Sequence, residues 1–227
     1  MPTLDTPGLI LQHEANAPAG HFADWLDGRG IAHSVHHAWE HETPTAPERF
    51  GWICALGSDQ TPGRDGRPPW VDAEVGFLRG ALDAGVPVLG LCFGGQALAA
   101  AAGGGVAPAD PPEGGWIEIE TSDPDRIPPG PWLHFHYDQL ALPDGAVELA
   151  RSPAGTAAFE LGNNLGLQFH PEVTPEIANG WATSERETLK RLGISAEQVA
   201  EAAKQSGEGA RRDARRLFDS WWAWLRG

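Results

Sequence analysis

Apolar and polar positions in the first half of the chain follow two alternating periods. Segments of strand length occupy residues 8–13, 31–36, 50–56 and 86–91, and the last two are apolar throughout. Apolar residues at helical spacing occupy residues 19–29, 71–84 and 97–102. This alternation predicts a parallel sheet with helices on both faces. The site of such a sheet lies at the carboxyl ends of its strands, where residues 57 and 92 are expected to share one crevice.

The second half has a different pattern. Segments 116–121, 132–137, 147–151, 156–160 and 165–169 are short, often alternating and separated by turn residues, which predicts mostly antiparallel strands. Thr174-Pro175 marks a helix start, capping boxes are expected at Ser184 and Ser195, and an apolar stripe in 210–225 is expected to dock on the sheet. No linker divides the chain, so we predict one domain over residues 1–227. The predicted class is α/β, with an open, mostly parallel sheet, a small antiparallel section and C-terminal helices.

Cys92 lies between the fourth predicted strand and the helix that follows it, in Gly90-Leu91-Cys92-Phe93-Gly94. A nucleophile flanked by glycines at a strand-to-helix turn is typical of a nucleophile elbow. Gly90 and Gly94 would let the helix approach the strand closely. The positive end of the helix dipole would favour the thiolate form of Cys92.

A thiol nucleophile needs a base and a group that orients the base. His170 ends an apolar strand in Gln168-Phe-His170-Pro-Glu172, and Pro171 stiffens the turn. The carboxylate of Glu172 can reach back to the imidazole, select its tautomer and stabilise its cation.

Bulk properties exclude several classes of function. The formal net charge of −15 argues against nucleic acid and anionic membranes as partners. The apolar runs are too short to span a membrane, and the N-terminus lacks a secretory signal, so we expect a cytoplasmic protein with reduced cysteines.

Metal and cofactor sites are not predicted. The histidines at 33, 36, 37 and 41 match no standard ligand spacing. The Gly103-Gly-Gly105 triplet follows a helix rather than a strand, and no P-loop pattern occurs.

Residues 87–96 and 168–172 together resemble the triad-type (class I) glutamine amidotransferases, especially the stand-alone branch similar to the glutaminase domain of GMP synthase. The resemblance covers most of the chain. It implies a flavodoxin-like fold, no cofactor, and release of ammonia from glutamine through a γ-glutamyl thioester on cysteine.

The resemblance also implies site residues. The catalytic residues would be Cys92, His170 and Glu172. Backbone N–H groups of Phe93 and of the Gly57–Ser58 turn would form the oxyanion hole. Substrate-binding candidates are Gln96, His136, Asp138, Glu113 and Trp116. For the last four, structural hydrogen bonding or packing is an equal alternative.

The oxyanion loop departs from the family pattern of two glycines followed by proline, because here it reads Gly57-Ser58-Asp59. If position 58 required a positive φ, Ser58 would carry a strain of about 1 kcal/mol. The hole would then be arranged differently, or would form only when a partner or substrate binds.

Three functions remain open at this stage. The chain can be a glutaminase that supplies ammonia to a synthase on a separate polypeptide. It can be a stand-alone γ-glutamyl hydrolase or peptidase whose leaving group is a larger amine. It can also be a non-catalytic binding module, which the intact Cys92, His170 and Glu172 argue against.

Overall fold

The computed structural model describes residues 3–227. Within them the strands are β1 (Gly8–Gln12), β2 (His33–His37), β3 (Ile53–Ala55), β4 (Val88–Leu91), β5 (Gly105–Ile117), β6 (Glu120–Thr121), β7 (Trp132–Ala141), β8 (Val147–Ser152), β9 (Gly155–Leu161) and β10 (Asn164–Leu167). The α-helices are α1 (Gly20–Arg29), α2 (Pro69–Ala84), α3 (Phe93–Ala101), α4 (Pro175–Ser184), α5 (Arg186–Arg191) and α6 (Ala196–Leu225).

Eight of these strands form one sheet in the order β2-β1-β3-β4-β10-β9-β8-β6. The first five strands in this order, β2, β1, β3, β4 and β10, are parallel. The remaining three, β9, β8 and β6, continue the sheet in antiparallel pairing. The predicted α/β class is confirmed. The small antiparallel section is also confirmed, because β5 and β7 form a separate two-stranded antiparallel sheet.

Alternation along the parallel strands divides the core between the two faces of the sheet. Ile10 and Cys54 face α1 and the end of α6, whereas Leu9 and Leu11 face α2 and α3. Because both faces of β3 and β4 are covered, these central strands are apolar throughout, whereas the edge strand β2 is polar and partly exposed.

A third cluster joins the β5–β7 ribbon to the C-terminal helices. Leu133 on β7 packs with Ala178, Leu189 and Val199 of α4, α5 and α6. Backbone bonding of His170 to Leu133 attaches this ribbon to the main sheet. The ribbon is thereby held beside the carboxyl ends of the parallel strands.

Helix caps confirm two of the three predicted starts. Thr174 accepts a hydrogen bond from Ile177 N–H ahead of Pro175, and Ser195 forms a complete capping box with Gln198. The capping box at Ser184 is wrong, because α4 continues through Ser184 and its hydroxyl donates to the Trp181 carbonyl. In the described part of the chain, no helix combines the length and apolar character needed to cross a membrane.

Candidate active site

A cavity of about 360 Å³ opens at the carboxyl ends of the central strands. It lies between the loops after β1, β3 and β4 and the β5–β7 ribbon. Its walls are formed by Glu14, Asn16, Ala17, Gly57, Ser58, Asp59, Gln60, Arg64, Cys92, Phe93, Gln96, Phe135, His136, Tyr137, Asp138, His170, Trp181, Glu185 and Thr188. Gly57 and Cys92 therefore share one crevice, as predicted.

Cys92 occupies a strained turn between β4 and α3. Its φ is 52°, and it is the only non-glycine residue with a positive φ in the range 3–227. A Cβ at Gly94 would lie 2.0 Å from the Ala55 carbonyl oxygen, and one at Gly90 would lie 2.4 Å from the Gly94 oxygen. The two glycines thus permit the close strand-to-helix approach that aims Cys92 into the cavity from the N-terminus of α3.

His170 lies just beyond β10, with its backbone N–H donating to the Leu133 carbonyl at 3.0 Å. The ring Nδ1 donates to Glu172 Oε1 at 2.7 Å, and the ring faces the Cys92 side chain. Burial lowers the pKa of His170, but the negative charges of Glu172 and of the Cys92 thiolate outweigh it and raise the pKa to about 10. The arrangement therefore favours an imidazolium beside the Cys92 side chain.

Glu172 is held by the start of α1. Its backbone carbonyl accepts the His21 N–H at 2.8 Å, and a Cβ at Gly20 would lie 2.2 Å from the same oxygen. Gly20 therefore lets the first helix close over the His170–Glu172 turn. Glu172 is only 2% exposed, so little water screens the electrostatic attraction between its carboxylate and the His170 ring.

The Gly57–Ser58 turn is anchored by the residues that follow β1. His13 Nδ1 lies 3.0 Å from the Gly57 carbonyl oxygen, and Glu14 accepts hydrogen bonds from Ser58 Oγ at 2.7 Å and Asp59 N–H at 3.1 Å. The left-handed backbone considered for Ser58 is wrong, since its φ is not positive. A serine therefore fits here without that strain.

Gly57 itself has little room for a side chain. A Cβ at this position would lie 2.8 Å from His170 Cε1 and 3.8 Å from Cys92 Cβ. The glycine lets the turn approach both side chains closely.

Two buried glutamines connect Cys92 to the ribbon. Gln96 Nε2 donates to the Asp138 carbonyl at 3.0 Å and to Gln168 Oε1 at 3.3 Å, and Gln168 Nε2 lies 3.7 Å from Cys92 Sγ. Gln168 is not among the predicted site residues. Its signal was the alternation of an extended segment, which places residues 168 and 170 on the same side.

Asp138 and Arg64 bring opposite charges to the cavity wall. Arg64 Nη2 donates to Asp138 Oδ2 at 2.8 Å, and the Asp138 side chain is 7% exposed against 58% for Arg64. Asp138 and His136 line the cavity, as expected for substrate-binding candidates. Arg64 also lines it but was not predicted as a site residue, because it lies in a long polar loop.

Glu113 lies behind His136 rather than in the cavity wall, which corrects its predicted placement. Its Oε2 lies 3.0 Å from His134 Nδ1 and 3.0 Å from His136 Nε2, and it accepts a hydrogen bond from Ser152 Oγ at 2.8 Å. Burial raises the pKa of Glu113, but the two histidines outweigh this effect and lower it. These contacts make Glu113 a brace for His136.

Glu113, His134 and His136 are also the one group with metal-ligand spacing among residues 3–227. Two histidines and a carboxylate suit a divalent transition metal in kind. However, His136 Nε2 lies within hydrogen-bonding distance of both His134 Nδ1 and Glu113 Oε2. Hydrogen bonding among the three side chains is therefore sufficient to explain why they lie close together.

Trp116 does not line the cavity either, which corrects its predicted placement. Its side chain packs against the cluster of the ribbon and C-terminal helices. In the ribbon Trp116 pairs with Leu133, which belongs to this cluster.

Comparison with solved structures supports the architecture. A glutamine amido transferase from Methylobacillus flagellatus aligns over 95% of this chain and 94% of its own, with 26% identity and a TM-score of 0.86. A glutamine amidotransferase from Thermotoga maritima covers 96% of this chain and 98% of its own, with 21% identity and a TM-score of 0.84, and shows the shared fold.

Sequence comparison identifies related enzymes. The "GMP synthase [glutamine-hydrolyzing]" of Aeropyrum pernix is 42% identical over 116 residues, which are 44% of this chain and 22% of the relative. That of Stenotrophomonas maltophilia is 33% identical over 153 residues, or 60% and 28% of the two chains. The matches thus span about a quarter of these relatives. Residues 60–180, more than half of the chain, match the model for "Glutamine amidotransferase class-I". The chain therefore belongs to the class-I glutamine amidotransferase family.

Proposed function

We propose that the chain hydrolyses the γ-amide of glutamine through a thioester on Cys92. The observation that carries the proposal is the contact series from Cys92 to His170 to Glu172 at the base of the cavity. It supplies a nucleophile, a proton carrier and an orienting carboxylate in one place. Family membership supports glutamine as the source of the amide.

In the first half-reaction, Cys92 Sγ attacks the γ-carbonyl carbon of glutamine. Negative charge develops on the carbonyl oxygen and is stabilised by the N–H groups of Phe93, at the start of α3, and of Ser58. The imidazolium of His170 donates its proton to the departing nitrogen. Ammonia leaves, and a γ-glutamyl thioester remains on Cys92.

In the second half-reaction, neutral His170 accepts a proton from water, which attacks the thioester carbonyl. The same N–H groups stabilise the second oxyanion, and glutamate leaves as the sulfur is released. Glu172 holds the imidazole in place and stabilises its cation in both half-reactions.

The cavity wall offers complementary charges for the amino-acid end of the substrate. Asp138 presents a nearly buried carboxylate suited to the α-ammonium group, and Arg64 presents a guanidinium suited to the α-carboxylate. Gln96 supports this end by fixing the backbone of Asp138.

The ammonia acceptor would lie on a separate synthase polypeptide. Relatives named GMP synthase carry much additional chain beyond the matched segment. Coupling to such a partner is therefore part of the proposal, and glutamine turnover is expected to rise when the partner binds.

The test measures ammonia release from glutamine by the purified chain and by Cys92→Ala. Cys92→Ala should lose at least about 10³-fold in turnover. Cys54→Ala is a matched control, because Cys54 lies in the core of β3, away from the cavity wall, and should retain turnover. Equal rates for wild type and Cys92→Ala would refute the proposed nucleophile.

A γ-glutamyl amide of a larger amine is the second candidate substrate. The described cavity wall holds the carboxylates of Glu14, Asp59, Asp138 and Glu185, against Arg64 as its one Lys or Arg side chain. This excess of negative charge favours a substrate whose leaving group carries its own ammonium group, in addition to the α-ammonium of the glutamyl part.

A substrate panel separates the two candidates. It contains glutamine and γ-glutamyl amides of a diamine and of a neutral alkylamine of equal length. Faster turnover of the diamine amide than of glutamine would support the hydrolase. Turnover confined to glutamine would eliminate it.

A further inference from the structure

His13 and Glu74 form a buried pair beneath the Gly57–Ser58 turn, and no step of the proposed reaction uses either. His13 follows β1, and Glu74 lies on α2. His13 Nε2 lies 2.9 Å from Glu74 Oε2, while His13 Nδ1 lies 3.0 Å from the Gly57 carbonyl oxygen. Their side chains are 0% and 2% exposed, so water does not compete for these contacts.

Two aromatic rings fix the plane of the His13 imidazole. Trp70 stacks on it with ring centroids 5.2 Å apart and an angle of 17°, and Phe93 meets it at 4.9 Å and 67°. Phe93 directly follows the nucleophile and supplies the other proposed oxyanion N–H. His13 therefore contacts the residues on both sides of the proposed oxyanion hole.

Proton counting assigns a hydrogen to His13 Nδ1. The Gly57 carbonyl can only accept, so its partner nitrogen must carry the proton. A second proton lies between His13 Nε2 and Glu74. Whether it is bound to the imidazole or to the carboxylate, Nδ1 still carries its hydrogen. Burial lowers the pKa of His13, but the nearby Glu74 carboxylate outweighs it and raises the pKa, which is consistent with a doubly protonated ring.

Peptide planarity then sets the direction of the Ser58 N–H. The Gly57 carbonyl and the Ser58 N–H belong to one peptide unit, and in a trans peptide they point in opposite directions. Because the carbonyl is turned towards His13, the N–H is turned away from it. Glu14 binds Ser58 Oγ and the Asp59 N–H, so the following peptide is held as well.

We propose that His13, braced by Glu74, is a positioning residue that keeps the Ser58 N–H directed at the substrate carbonyl. In the reverse orientation, the Gly57 carbonyl oxygen would face the developing oxyanion and repel it. This role rests on the proposed reaction. It makes the oxyanion hole pre-formed in the isolated chain.

Two substitutions at position 13 separate the donor at Nδ1 from the contact with Glu74. Asn places an amide N–H near the position of Nδ1, whereas Gln reaches towards Glu74 and leaves the Gly57 carbonyl without its donor. His13→Gln should reduce kcat by about 10²-fold, the usual effect of losing an oxyanion donor. His13→Asn should keep a kcat about tenfold or more above that of His13→Gln.

Alkylation of Cys92 by iodoacetamide provides the readout that a merely structural role would not separate. The alkylation reaction requires the thiolate of Cys92 but forms no oxyanion. Its rate should be equal in wild type and both His13 variants, while kcat differs. A parallel loss of alkylation and turnover, or equal kcat in His13→Asn and His13→Gln, would overturn the proposal. His41→Gln is the control for the residue change, because the His41 side chain is 66% exposed.

Crystal structures of wild type and His13→Gln test the orientation without any substrate. The Gly57 carbonyl should face residue 13 in wild type and turn away from it in the variant. If the wild type turns over no γ-glutamyl compound, the proposed function fails while this comparison still decides the orientation. Should His13→Gln not fold, a wild-type Gly57 carbonyl that faces the cavity would be sufficient to overturn the proposal.

Discussion

Glu172 Oε1 accepts a hydrogen bond from His170 Nδ1 at 2.7 Å, and both side chains are buried. Since Nδ1 is engaged by the carboxylate, Nε2 is the ring nitrogen left for the Cys92 side chain. The pair therefore sets both the tautomer and the charge of the proposed proton carrier.

Neutralising Glu172 should change the pH dependence of the proposed glutamine hydrolysis. Glu172 helps to raise the pKa of His170 to about 10, so the imidazolium persists at alkaline pH. In Glu172→Gln, burial still lowers the pKa but the carboxylate no longer raises it. The alkaline limb of the profile of kcat/KM against pH should therefore move to lower pH, and kcat should fall by about 10²- to 10⁴-fold. Glu176→Gln is the control, because Glu176 is exposed; an unmoved limb in Glu172→Gln would contradict the assignment.

A methyl group at Gly57 should disturb the site more than the fold. The added Cβ of Gly57→Ala would meet His170 Cε1 at 2.8 Å and displace the ring or the turn. We expect kcat to fall by about tenfold or more, since small misplacements of reacting groups are costly. Gly76→Ala is the control on α2, where the new methyl would meet nothing within 4 Å. That variant should keep its turnover and gain about 0.5–1 kcal/mol in free energy of unfolding.

Removal of the Arg64 guanidinium should weaken substrate binding. Arg64→Ala is expected to raise KM by about tenfold with a smaller change in kcat, because binding of the α-carboxylate is the same in the ground and transition states. Arg151→Ala is the control, since the exposed Arg151 pairs with Glu148 outside the cavity wall. Steady-state kinetics with glutamine measure both parameters. A fall in kcat alone for Arg64→Ala would exclude this role.

The start of α6 provides a test of the fold that is separate from catalysis. Ser195→Ala removes the hydroxyl that accepts the Gln198 N–H and should lower the free energy of unfolding by about 1 kcal/mol. Ser184→Ala should cost less than about 0.5 kcal/mol, because this residue forms no capping box. Urea unfolding of the two variants gives the comparison. Equal losses would show that the capping box contributes no more than an ordinary surface serine.

The sequence by itself determined the features that depend on near neighbours. The period of apolar residues predicted the parallel strands and their helices, because each element presents its own face to the core. The spacing of Gly90, Cys92 and Gly94 predicted the tight turn. The two-residue separation of His170 and Glu172 already placed the carboxylate within reach of the ring.

Only the tertiary structure decided the features that depend on distant partners. His13 and Gly57 are 44 residues apart, and nothing in either segment predicts that an imidazole fixes the turn. The same holds for Glu14 beneath Ser58, and for Glu113, which braces His136 from outside the cavity. The contacts of His13 and Glu14 arise where β1 and β3 end side by side, and Glu113 meets His136 through the register of β5 with β7. In both cases the pairing of distant strands sets the partners, and the local pattern does not.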